Sequence, residues 1–157
     1  SRRNMRIEPF FPATPAELSI EAFRAMAVEA FPNSWDRENI WGHFEELLTS
    51  LGETGADIDI FVNGSFVTHK LNPGDIDLLL VVRRPVIGYN SLSQEKVQAF
   101  SNRRDEWKRA KRCDFEIIVE TSTLDDDIDE IIDQTLNRFS FNENGPPKRA
   151  IKLQLEA

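Results

Sequence analysis

The stretch Val62-Asn63-Gly64-Ser65, followed after nine residues by Asp75-Ile76-Asp77-Leu78-Leu79-Leu80, decides the fold of this chain. Aliphatic residues alternate with other residues over 57–63, which is the period of a half-buried strand. Residues 76–82 are aliphatic apart from one aspartate, as is typical of a central strand that is buried on both faces. Asn72-Pro73-Gly74 supplies turn residues between the two runs. The stretch therefore predicts two neighbouring strands joined by a loop that returns along the first.

Helical periodicity predicts helices on both sides of these strands. Thr14-Pro15-Ala16-Glu17 has the form of a capping box with proline at the first helical position, so we expect a helix from there to about Ala30. A second helix is expected from about Ser34 to Gly52. Later in the chain the pattern predicts a helix over 91–112, a strand over 115–119, a helix over 121–139 and a strand over 151–155. The pattern is that of an α/β (α+β) fold, a short mixed β-sheet with helices packed on one side.

Composition narrows the classes of function. The 157 residues carry a formal net charge of −8, which argues against broad electrostatic binding to nucleic acid because such binding needs a basic surface. Cys113 is the only cysteine, so an intramolecular disulfide is impossible, and with two histidines a Cys/His zinc site is not expected. No apolar run approaches the roughly 18 residues of a spanning helix, and no signal-peptide pattern is evident. We therefore expect a cytoplasmic protein that does not contact a membrane.

Two aspartates in the quoted stretch are candidate metal ligands. Asp75 and Asp77 are two residues apart, so in a strand their side chains point to the same face. An ionised carboxylate in an aliphatic strand is costly unless it is paired or bound to a cation, and two adjacent carboxylates repel each other. A divalent cation relieves both costs, and carboxylate oxygens suit Mg²⁺ or Mn²⁺. The pair therefore predicts a metal site of the kind that binds nucleotide phosphates.

A third carboxylate is available in the run Cys113-Asp114-Phe115-Glu116. Asp114 and Glu116 share one face of the predicted strand, and if that strand lies beside 76–82, one of them completes a three-carboxylate site. Asp114 is the first choice and Glu116 the second. Such a site can hold two metal ions, and its third carboxylate can act as a general base.

The Gly64-Ser65 turn is a candidate phosphate-binding element. Glycine allows the backbone to approach a ligand closely, backbone N–H groups in such a turn bind phosphate oxygens, and the Ser65 hydroxyl adds a donor. In the loop that follows, His69 or Lys70 is placed to reach the same phosphates, although a structural or solvent-exposed role is the simpler interpretation of His69.

The order of these motifs resembles the DNA polymerase β-like nucleotidyltransferase superfamily. The shared pattern is Gly-Ser, a gap of about nine residues, Asp-x-Asp in an apolar strand, and an aspartate in a later strand. The motif covers residues ~58–119. The remainder is similar to small bacterial and phage proteins of that superfamily, which share Gly-Ser-Phe-Val-Thr (here 64–68) and a tail with Pro-Lys followed by a strand (here Pro147-Lys148). That tail often continues with glycine, whereas this chain has Arg149.

The resemblance implies a single nucleotidyltransferase-like domain over 1–157, with a helical lead-in (1–52), a catalytic core (56–120) and a C-terminal helix and strand (121–157). By position, Gly64 and Ser65 match the turn that binds the phosphates of a nucleoside triphosphate such as ATP. Asp75, Asp77 and Asp114, with Glu116 as the second choice, match the ligands of two Mg²⁺ (or Mn²⁺) ions. The implied reaction transfers a nucleoside monophosphate to a protein, RNA or small-molecule acceptor with release of pyrophosphate. A chain this short leaves little room for an acceptor domain, so a partner protein or the acceptor itself is expected to complete the site.

Other interpretations stand beside this one. The fold is also compatible with a catalytically inactive binding module, for example in a toxin–antitoxin or phage-defence pair, or with a nucleotide sensor that binds without transferring anything. The basic run between Arg103 and Arg112 is either a solvated helix face or a contact for triphosphate or a nucleic-acid acceptor. The acidic block 125–133 is interpreted as the polar face of an amphipathic helix. The earlier pair Asp57 and Asp59 precedes the Gly-Ser turn and is interpreted as surface alternation.

Overall fold

The structure, a computed structural model, describes residues 16–83, 91–120, 130–132, 134–135 and 150–155. Within these residues a mixed sheet of five strands has the order β1-β5-β2-β3-β4. The strands are β1 (Ala16–Ser19), β2 (Asp57–Asn63), β3 (Ile76–Arg83), β4 (Cys113–Val119) and β5 (Ile151–Gln154). β1 is parallel to β5 and β4 is parallel to β3, whereas β2 is antiparallel to both of its neighbours. The mixed α/β fold class predicted from the sequence is confirmed.

Four helices pack against one face of this sheet. They are α1 (Ile20–Arg24), which continues into a π-helical turn (Ala25–Glu29), α2 (Arg37–Gly52), α3 (Ser91–Asn102) and α4 (Arg104–Lys111). Among the described residues none of these helices is long and apolar enough to cross a membrane. Aromatic side chains fill the interface, and Cys113 is buried there as a small core residue. The predicted apolar face of α2 is buried at Ile40, Trp41, Phe44, Leu47 and Leu51, and partly buried at Leu48.

The prediction that the first helix starts in the Thr14–Glu17 segment is wrong. Ala16–Ser19 form β1, paired with Ile151–Gln154, and the helix begins at Ile20. The side-chain oxygen of Ser19 accepts a hydrogen bond from the backbone N–H of Ala22 at 3.1 Å, which caps the helix in place of the predicted box. Strand pairing gives the backbone of 16–19 its hydrogen bonds, so a local capping signal is outweighed by a distant strand. Thr14 and Pro15 lie outside the described residues.

The helix predicted over 91–112 is two helices, with a break at Arg103 (φ −93°, ψ 14°). Bulky side chains from the two successive helices contact each other beside β4. Phe100 stacks on Phe115 with ring centroids 4.9 Å apart, and Trp107 lies 5.9 Å from Phe100. Helical periodicity continues through the break, which is why the sequence pattern did not indicate it.

A short helical segment packs against the opposite face of the sheet. Leu79 and Val81 are buried there together with Ile132, and Phe61 and Ile118 pack against them. Ile132 belongs to a short described part of the predicted helix over 121–139, in which residues 130–132 and 134–135 are helical. The prediction that helices pack on one side therefore holds for α1–α4 but is wrong for this segment. The rest of that helix and most of the acidic block 125–133 lie outside the described residues.

Candidate metal centre

Strand register brings three candidate carboxylates together. Asp77 in β3 pairs with Asp114 in β4 on one side and with Asn63 in β2 on the other. Directly paired residues project to the same face of a sheet, so these side chains form a row across three strands. Asp75 immediately precedes β3, and carboxylate oxygens of Asp75, Asp77 and Asp114 lie within 4.8 Å of one another. In β3, Asp77 shares its face with Leu79 and Val81, which is the face opposite the main hydrophobic core.

The cluster is electrostatically strained. The pKa of Asp75 is raised, first by burial and then by the negative charge of Asp114, while Lys108 and Lys70 partly oppose the shift. Two half-exposed cations of α4 lie against the cluster. Arg104 Nη2 is 3.9 Å and Lys108 Nζ is 3.8 Å from the oxygens of Asp114. The site is therefore one in which additional positive charge is favourable.

The basic residues between Arg103 and Arg112 fall into two groups in the structure, and one of these groups faces the carboxylate cluster. Arg104 and Lys108, one helical turn apart, face Asp114. Other members of the run pair elsewhere: Arg103 with Glu106, Lys111 with Glu46, and Arg112 with the ring of Trp35. Only part of the run is thus available to a ligand of the site.

Gly64 lies directly against one carboxylate of the cluster. It begins a short 3₁₀ turn (Gly64–Val67) at the end of β2, with φ +78°. A Cβ atom built on Gly64 would lie 2.1 Å from Oδ2 of Asp77, so a glycine is needed both for the backbone conformation and for the close approach. The Ser65 hydroxyl donates to the carbonyl oxygen of Pro73 at 3.3 Å, which links the Gly-Ser turn to the turn before Asp75. Its predicted role toward phosphate stays a prediction.

The loop between the two motifs is held by a buried arginine that the sequence interpretation missed. Arg37, at the start of α2, is 0% exposed, and its guanidinium stacks on Phe31 with Cζ 3.9 Å from the ring centroid. Its five N–H groups donate to carbonyl oxygens of Ala27, Phe66, Thr68, Lys70 and Leu71. Four of these five acceptors belong to the loop that connects the Gly-Ser turn to the aspartates.

Residues next to Arg37 fix the end of the same loop. Asp36 Oδ2 accepts a hydrogen bond from the backbone N–H of Gly74 at 2.9 Å. Asn72 Oδ1 accepts from the backbone N–H of Trp35 at 2.9 Å and from the hydroxyl of Ser34 at 3.0 Å. The sequence signalled only a helix start at Ser34, because the partners of this segment are more than thirty residues away.

The remaining candidates occupy different positions around the cluster. Glu116 projects from the same face of β4 as Asp114 and lines the adjoining cleft, but it is outside the three-carboxylate cluster. Lys70 is exposed, and its charge partly opposes the rise in the pKa of Asp75 that burial and Asp114 cause. His69 is exposed, with its ring 6.2 Å from that of Phe31. The geometry thus favours Asp114 over Glu116 as the third carboxylate.

The earlier Asp-x-Asp pair has ordinary surroundings. Asp59 Oδ2 accepts from Arg83 Nε at 2.7 Å, and Asp57 is exposed. Neither belongs to the carboxylate cluster found among the described residues. This pair therefore offers matched control positions for substitutions in the cluster.

The fold and the site define a class of protein, a mixed-sheet α/β domain with three carboxylates on, or immediately before, two adjacent parallel strands. The chain belongs to the family described as a family of unknown function (DUF6932), which matches residues 4–154. No match was found among the curated proteins or among the solved structures.

Replacing Asp75 with asparagine is expected to stabilise the metal-free protein at pH 7. A carboxyl whose pKa is raised by folding favours the folded state below its ordinary pKa, and that contribution is lost as the pH rises through the raised value. At pH 7 the ionised Asp75 therefore destabilises the folded protein, and the uncharged amide of asparagine removes that destabilisation. The melting temperature in EDTA should rise in Asp75→Asn, the gain should vanish near pH 3, and Asp57→Asn should show no such gain. An unchanged or lower melting temperature at pH 7 would contradict this account.

Proposed function

We propose that this protein is a metal-dependent nucleotidyltransferase that transfers a nucleoside monophosphate from a nucleoside triphosphate to a protein, RNA or small-molecule acceptor. The observation that carries the proposal is the convergence of Asp75, Asp77 and Asp114 beside the Gly64 turn. Family membership gives no function, so the proposal depends on this geometry together with the resemblance of the motifs.

The donor set suits hard divalent cations. Mg²⁺ binds carboxylate oxygens at about 2.0–2.1 Å and usually shares its shell with substrate phosphates, so oxygens already within 4.8 Å of one another need only small rotations to share one or two ions. Asp75, Asp77 and Asp114 would hold Mg²⁺ or Mn²⁺. The bound ions would supply positive charge to the phosphates and lower the pKa of the attacking group.

The surrounding residues have separable tasks in such a reaction. The Gly64 turn brings backbone to within contact distance of the Asp77 carboxylate, so its N–H groups can lie beside phosphates bound at the cluster. Arg104 and Lys108 are half exposed beside Asp114 and can move to polyphosphate oxygens, which favours the phosphate-contact interpretation for this part of the basic run.

The transfer step itself is a displacement at phosphorus. The acceptor oxygen forms a bond to the α-phosphorus, the bond from that phosphorus to the bridging oxygen breaks, and pyrophosphate leaves. Asp114 takes the acceptor proton, with Glu116 two residues further along the same face as the second choice.

The proposal is tested by label transfer. Purified protein is incubated with each α-³²P-labelled nucleoside triphosphate, Mg²⁺ or Mn²⁺ and cell extract, and the labelled products are divided by ribonuclease and protease treatment. We expect metal-dependent labelling that falls by at least about 100-fold in Asp77→Asn, since a ligand and its charge are lost, and that is retained in Asp57→Asn.

Each alternative has its own result in this experiment. Triphosphate binding without transfer would replace the proposal with a nucleotide sensor. Neither binding nor transfer would favour a catalytically inactive binding module. Labelling that persists in Asp77→Asn would show that the carboxylate cluster is not the site.

A further inference from the structure

A buried amide next to the carboxylate cluster has an oxygen without a partner. Asn63 is 4% exposed, and its Oδ1 makes no hydrogen bond with the described residues. A buried polar atom left unpaired costs free energy in the folded protein, so it normally finds a partner. The other buried side-chain atoms without a hydrogen bond in the described part of the chain are nitrogens of α2 and α4, on Trp41, His43 and Trp107.

The position of Asn63 relates this oxygen to the candidate metal centre. Asn63 is the last residue of β2 and pairs directly with Asp77, so its side chain lies in the same row as Asp77 and Asp114. It also lines the cleft that these two aspartates share with Arg104 and Glu116. The unpaired oxygen therefore borders the space in which a ligand of the cluster would be bound.

The chemistry of the amide fits a cation better than it fits an anion. An amide carbonyl oxygen is a hard, neutral donor of the kind that Mg²⁺, Mn²⁺ and Ca²⁺ accept alongside carboxylates. A fourth carboxylate at this place would add a negative charge beside three carboxylates whose oxygens already lie within 4.8 Å of one another. Asparagine supplies an additional oxygen without that charge.

We propose that the Asn63 side-chain oxygen is a fourth oxygen ligand of the divalent cation held by Asp75, Asp77 and Asp114, bound directly or through one water of its shell. This inference depends on the proposed metal site, but it assigns a role to a residue outside the three carboxylates. Sequence pattern alone does not indicate this role, because an asparagine before a glycine is typical of an ordinary turn.

The test measures cation binding and stability rather than transfer. Mn²⁺ affinity is measured by calorimetry and by the loss of the free-ion EPR signal for the wild type, Asn63→Leu, Asn63→Asp and Asp77→Asn, and metal-free melting is measured for each. In Asn63→Leu the dissociation constant for Mn²⁺ should rise by about 10- to 100-fold. Its metal-free melting temperature should stay the same or rise, because the unpaired oxygen is gone.

The aspartate variant keeps the proposal testable if the leucine variant does not fold. Asn63→Asp retains an oxygen and adds charge, so it should bind Mn²⁺ at least as tightly as the wild type while melting at a lower temperature without metal. Wild-type Mn²⁺ affinity in Asn63→Leu, or equal losses in both Asn63 variants, would overturn the assignment and leave the three-carboxylate site intact. If the wild type and Asp77→Asn are alike in failing to bind Mn²⁺, the metal site itself is wrong and the role of Asn63 falls with it.

Discussion

Arg37→Met is expected to lower the free energy of unfolding by at least about 3–5 kcal/mol. The guanidinium is fully buried and satisfies five backbone carbonyl oxygens, and methionine fills much of its volume without donating to any of them. Buried acceptors that lose their donor cost about 1–3 kcal/mol each, and only part of that cost can be relieved by water entering the loop. Burial lowers the pKa of Arg37 to about 10, so the residue is still charged at neutral pH and its hydrogen bonds are charge-assisted.

Urea denaturation of the wild type and of matched variants measures the effect. Arg37→Lys retains the charge but not the planar fork, so it should lose most of the same stability. Arg103→Met removes an exposed arginine that pairs with Glu106, and should cost less than about 1 kcal/mol. A loss for Arg37→Met no larger than that of Arg103→Met would show that the hydrogen bonds of Arg37 do not support the fold.

The effect of Arg37 should extend to the candidate metal centre. Four of its five acceptors lie in the loop that begins at the Gly-Ser turn, and its neighbour Asp36 accepts a hydrogen bond from the backbone N–H of Gly74 just before Asp75. If this loop loses its hydrogen bonds to Arg37, neither the Gly-Ser turn nor the turn before Asp75 is held firmly in place. We therefore regard Arg37 as a positioning residue for Asp75, although it touches no carboxylate of the cluster.

The sequence predicted the parts of the site that depend on local pattern. Alternation and aliphatic runs located β2, β3 and β4, and the period of two placed Asp75 with Asp77 and Asp114 with Glu116. The sequence pattern alone could not decide whether Asp114 or Glu116 is the third carboxylate of the cluster, because that depends on the register of β4 against β3. The register pairs Asp77 with Asp114, and Leu79 with Glu116.

What the sequence missed depends on contacts between distant segments. Ala16–Ser19 form a strand only because 151–154 lies beside them, and a capping pattern cannot anticipate this partner. Arg37 looks like an ordinary charge at a helix start until its acceptors, up to 34 residues away, are seen. Asn63 looks like a turn residue until its pairing with Asp77 is known. Each of these residues acts through a partner that periodicity does not encode.

Gly64→Ala is expected to weaken Mn²⁺ binding by at least about 10-fold and to destabilise the fold by about 1–3 kcal/mol. A non-glycine residue at φ +78° costs about 1–2 kcal/mol for the backbone alone. The new methyl group would also lie 2.1 Å from Oδ2 of Asp77, far inside contact distance, so the carboxylate must turn away or the strands must separate. Either movement takes the Asp77 carboxylate away from Asp75 and Asp114. At present one carboxylate oxygen of each of the three residues lies within 4.8 Å of the other two.

Gly55→Ala separates the two causes of this loss. Gly55 also has a positive φ, +71°, but a Cβ atom there would meet only the Ser93 hydroxyl, at 3.3 Å. Its substitution should show a similar backbone cost with normal Mn²⁺ affinity, measured by calorimetry alongside thermal melting. If Gly64→Ala loses stability but binds Mn²⁺ like Gly55→Ala, the close approach of the turn to Asp77 is a packing feature. If it loses affinity beyond its loss of stability, the glycine is needed to keep that carboxylate where a cation can reach it.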